Sequence, residues 1–65
     1  MTIHLAPRLR DPDALFAAVI DAHDGLVEAA SRRLDAALVL LLANHIGDDD
    51  VVLDAVRIAR QGDQA

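Results

Sequence analysis

The chain lacks cysteine, lysine, tryptophan and tyrosine, and Phe16 is its one large aromatic side chain. Without cysteine there is no disulfide and no thiolate metal site, and nothing marks an oxidising compartment. Without large aromatics the biggest burial per residue is missing. The apolar set is mostly Ala, Leu, Val and Ile, so close approach of helices has to make up the difference. Without lysine, six arginines face eleven acids, and the net charge is -5. Nucleic-acid binders present a basic face, whereas Arg8/Arg10, Arg32/Arg33 and Arg57/Arg60 each lie near acids. Nucleic acid and anionic membrane are thereby disfavoured as partners. No hydrophobic run is long: the central one is unbroken only from Ala36 to Ala43, against ~20 residues for a membrane span. The start, Met1-Thr2-Ile3-His4-Leu5, has neither the basic residues nor the apolar stretch of a signal peptide. These features predict a soluble, cytoplasmic protein.

What is present is helix-forming. Hydrophobic residues make up 54% of 65 residues, which argues against disorder. Ala and Leu are the best helix formers. The expected fold class is all-α with three helices, at about 12–24, 27–46 and 49–61. An extended arm (1–10) precedes a single domain (11–62), and a short tail (63–65) is expected to fray. In the arm, Ile3 and Leu5 alternate with polar neighbours, and Pro7 discourages helix through Ala6.

Asp11-Pro12-Asp13 is a helix start: Asp11 can cap, Pro12 suits the first position, and Asp13 favours the positive end of the dipole. Leu15, Phe16, Val19, Ile20 and His23 then make one stripe, and Gly25 is a left-handed stop. The second helix begins with a poor cap, because Val27 stands where Ser, Thr or Asp would serve. Glu28 and Arg32 have a favourable spacing of four, with Asp35 as another partner for Arg32. Leu34, Leu38, Leu41 and His45 form one stripe; Val39, Leu42 and Ile46 a second; Ala36, Leu40 and Ala43 a third. Together they circle the helix, which must therefore be covered all round. Gly47 ends it. Asp48-Asp49-Asp50 opens the third helix, where Val52, Ala55, Val56 and Ala59 are the expected inward stripe, with Leu53 beside it. Asp54 and Arg57 can pair locally.

The run Leu38–Asp48, LVLLLANHIGD, together with Asp11-Pro12-Asp13-Ala14-Leu15-Phe16 and Asp21-Ala22-His23-Asp24-Gly25-Leu26, resembles a family of short bacterial proteins of unknown function. The resemblance spans about residues 10–60. It implies a fold and a partner, since such chains are encoded beside larger oxidoreductases, and it implies no activity. Val27 departs from the family pattern, which has Ser or Thr just after the Gly-Leu pair.

Autonomous catalysis is not expected. The hydroxyl nucleophiles are Thr2 and Ser31, and Ser31 lies ~20 Å along its helix from His45, far beyond the ~3 Å of a nucleophile–base pair. The histidines His4, His23 and His45 have no close zinc-type spacing, so no metal and no cofactor is expected. Plain readings suffice for His23, closing its stripe, and for His45, at a helix end where it can bond free carbonyls. Asn44 reads as a side chain satisfying loop backbone. The sharper reading joins Asn44, His45 and Asp48 in a polar patch that docks a partner or, in a dimer, a ligand or metal. Arg33 keeps a minor claim as an interface anchor.

Two short flanking helices cover about two sides of the central one. If those two suffice, the run is ordinary core; a third side left over implies association: a homo-oligomer, a dimer first, or a larger protein partner. The expected interface is Leu34, Leu38, Val39, Leu40, Leu41, Leu42 and Ile46. The sequence thus predicts a self-associating interaction or accessory protein.

Overall fold

The structure, a computed structural model, describes residues 3–62. Three helices follow one another: α1 (Pro12–Ala22), α2 (Glu28–Ile46) and α3 (Asp49–Gly62), with no strand among the described residues. The all-α, three-helix expectation holds. The expected fraying of 63–65 and the first two residues of the arm lie outside the described residues.

Each boundary has a local cause. Asp11 Oδ1 accepts the Ala14 N–H at 3.0 Å, and Pro12 takes the first helical position. α1 is shorter than its stripe suggested. The backbone N–H of His23 bonds to Ile20 O at 3.0 Å and that of Asp24 to Asp21 O at 3.1 Å, the tighter spacing that closes helices. The His23 ring meanwhile sits 2.7 Å from Val19 O, four residues back. Gly25 then turns with φ 78°. Val27 precedes α2 in extended conformation and offers no side-chain cap. Gly47 closes α2 in the left-handed region (φ 68°) and its N–H reaches Ala43 O at 2.9 Å. Asp48 Oδ1 accepts the N–H groups of Asp50 at 3.1 Å and Val51 at 3.3 Å, so it caps α3. Two surface pairs form as their spacing requires, Arg32–Glu28 at 2.8 Å and Arg57–Asp54 at 3.2 Å; each is worth a few tenths of a kcal/mol, about the value of an exposed pair.

The packing departs from expectation. α1 and α3 were each expected to cover a side of α2. Only α2 and α3 pack together; no Cα of α1 comes within 8 Å of either other helix. None of the described residues is fully buried. The partly covered positions of α2 are Ala30, Ser31, Leu34, Leu38 and Ala43. In α3 they include Val51, Val52 and Ile58, while Leu53, Ala55, Val56 and Ala59 stay exposed. The covered stripe of α3 is therefore turned by about one residue from the expected one. The two-residue link Gly47-Asp48 explains this, because it brings the start of α3 against α2. The radius of gyration is 13.3 Å, where a compact domain of this length has about 11 Å.

Asp48→Ala removes the α3 cap and is expected to lower stability by about 1 kcal/mol, with Asp48→Asn retaining most of it. Urea melts of the two variants check this; equal midpoints for Ala and Asn would show that the cap is not used.

Candidate functional site: an apolar groove and a histidine clamp

The main concavity is a groove of about 940 Å³ between the arm, the second half of α2 and the start of α3. Its α2 wall is Val39, Leu42, Ala43 and Ile46; its α3 wall is Val51, Val52 and Ala55. The arm closes the third side, from Ile3 to Leu9, and Pro12 marks where α1 leaves it. Pro7 and Pro12 hold this strap out of helix, since proline and the residue before it resist helical conformation. The charged or ionisable residues among the lining are His4, Arg8 and Asp48. Such a surface suits apolar side chains rather than a polar substrate.

The expected interface residues are placed as follows. Val39, Leu42 and Ile46, the second stripe of α2, line the groove. Leu34 and Leu38 are partly covered. Leu40 and Leu41 lie off the groove, each 69% exposed. Of the polar trio, Asp48 both caps α3 and borders the groove, whereas Asn44 and His45 are exposed and outside it. The loop backbone expected to need Asn44 is served by Asp48 and by the Gly47–Ala43 hydrogen bond. His4 lines the groove and His45 does not. Among the described residues no group of three or more His, Cys, Asp or Glu could hold a metal ion.

The residue that sequence reasoning undervalued is His23. Its Nε2 lies 2.6 Å from Asp35 Oδ1 of α2, while Nδ1 lies 2.7 Å from the Val19 carbonyl. A neutral imidazole has one N–H and can satisfy one of these acceptors; the imidazolium donates to both. The Val19 carbonyl first, and the Asp35 carboxylate after it, raise the His23 pKa above its ordinary 6.5. The clamp ties the end of α1 to the second turn of α2. Asp35 was expected as an alternative partner for Arg32; that arginine takes Glu28, which frees Asp35 for His23. A histidine four residues after a helical carbonyl and just before a glycine turn was the signal available.

Residues 3–61 match a family described as a protein of unknown function (DUF2783). The chain belongs to this family. No curated protein and no solved structure matches the chain. Family membership therefore carries no reaction, ligand or partner with it. No helix among the described residues is long and apolar enough to cross a membrane.

Because the folded pKa of His23 is raised, its stabilising contribution is complete below the unfolded value of about 6.5 and is lost as pH rises through the folded value. The melting temperature should fall as pH is raised from about 6 through the neutral range, and Asp35→Asn should shrink that slope. An NMR titration should place His23 above 6.5; a His23 that titrates at or below that value would disprove the clamp.

Proposed function

We propose that this member of the family is a small helical interaction protein that self-associates through α2 and, once associated, serves as an accessory to a larger protein such as an oxidoreductase. The observation that carries the self-association is the missing core. Val39, Leu40, Leu41, Leu42 and Ile46 of a single helix are all more than half exposed. The chain exposes 5864 Å², where a compact protein of its mass exposes about 4,000 Å². Small helical chains most often complete such burial with further copies. The accessory role is supported by the resemblance and by the poverty of nucleophiles. Ser31 and His45 sit on the one straight run of α2, about 20 Å apart. The runner-up, a ligand or metal site in a dimer near Asn44 and His45, would need groups from both copies, since His45 lies outside the groove.

Light scattering on the purified protein should return a multiple of 7.0 kDa at micromolar concentration; a monodisperse single-chain mass would refute the reading. Leu42→Asp should weaken association by about 2 kcal/mol or more, as loss of an interface anchor does. An unchanged mass and melting point would place Leu42 outside the interface.

A further inference from the structure

We propose that the groove between the arm, α2 and α3 is filled by α1 of a second copy, so that two chains exchange their first helices. This rests on the self-association reading and names its geometry.

The chain carries both halves of an unmade contact. One half is the groove, walled by Val39, Leu42, Ile46, Val51 and Val52. The other is α1, whose Leu15, Phe16, Val19 and Ile20 fall at the three- and four-residue spacings of one helical face. Phe16 is 67% exposed, and α1 has no helical neighbour in its own chain. Its own groove is not open to it in the observed arrangement: α1 supplies only Pro12 to the lining and then runs towards the start of α2, where His23 holds Asp35.

Size agrees. The apolar face of α1, from Leu15 to Ile20, spans about 8 Å, and the Val39–Ile46 wall about 10 Å, so the face fits within the wall. α1 contains Asp13 and Asp21 and no basic residue, while the groove is bordered by one cation, Arg8, and one anion, Asp48, so the apolar match and not charge selects this occupant. Area favours a second copy over a short peptide. Each chain exposes about 1,800 Å² beyond a compact monomer. Two chains each hiding half of that excess would bury about 1,800 Å², the size of a standard stable interface of about 1,600 Å². An exchange of two identical elements also closes on itself, as a two-fold dimer must.

The absence of cysteine makes the test direct. Phe16→Cys and Leu42→Cys are made in separate chains distinguished by tag length, so no disulfide can form within a chain. The mixed chains are refolded together and oxidised. The mixed disulfide is expected to exceed either self-disulfide by about tenfold, because seated residues meet at the effective concentration of a joined site. If the Phe16 variant does not fold, Ile20→Cys with Val39→Cys asks the same question. A dominant Leu42–Leu42 cross-link would overturn helix exchange in favour of α2 packing on α2. An oligomer by scattering that yields no mixed disulfide from either pair would overturn exchange and leave self-association standing. A single-chain mass of 7.0 kDa for the wild type would overturn both.

Discussion

The rest of the structure depends on the Ala36–Ala43 stretch of α2 being apolar on every side while its own chain covers only part of it. An amphipathic helix needs one neighbour; a helix apolar all round needs cover on all faces. α3 is the most one-sided of the three helices and α2 the least, so α3 can seal one edge and still face water. α1 is held away. Even half of the roughly 1,800 Å² excess, at about 25 cal/mol per Å² of apolar area, is a gross gain near 20 kcal/mol. That exceeds the ~4–15 kcal/mol that association consumes in lost freedom. The open arrangement thus leaves apolar surface whose burial would be energetically favourable.

The contacts that set the course of α1 in its own chain are polar and local. The His23 ring leaves the apolar stripe to bond Val19 O and Asp35. The last turn of α1 tightens as it does so, and the Gly25 turn sets the exit direction. The clamp side chains are 24% and 62% exposed, so water screens the pair and its value lies in orientation more than in energy. At the other end Pro12 starts α1 where the arm leaves the groove. α1 is therefore anchored at both ends and presents Phe16 and Ile20 to solvent between them.

The legible parts of this molecule are those decided within a few residues. Asp11 and Pro12, Gly47, Asp48, the uncapped Val27, and the Glu28–Arg32 and Asp54–Arg57 pairs all follow from spacing and from hydrogen-bonding capacity. The groove floor was half legible, because Val39, Leu42 and Ile46 form one stripe at helical spacing. Its other walls were not. No periodicity places an irregular arm against α2, and the α3 stripe is set by a two-residue link whose geometry shifts which face turns inward. The separation of α1 was hidden for the same reason: its stripe looks like that of a packed helix, and nothing in it shows His23 reaching Asp35, twelve positions on.

Groove filling would not exhaust α2. Leu40 and Leu41 lie off the Val39–Leu42–Ile46 stripe and remain 69% exposed each. Leu40 has Asn44 four residues on, and Leu41 has His45; on a helix such pairs are surface neighbours. Each exposed leucine is thus edged by a hydrogen-bonding side chain, the apolar centre with polar rim found at interfaces between separately folded proteins. The groove lies on another side of the helix, bordered by the chain's own arm with Arg8 and by Asp48. The proposed self-association and the proposed accessory role would therefore call on different sides of the same helix, and occupancy of one would leave the other open.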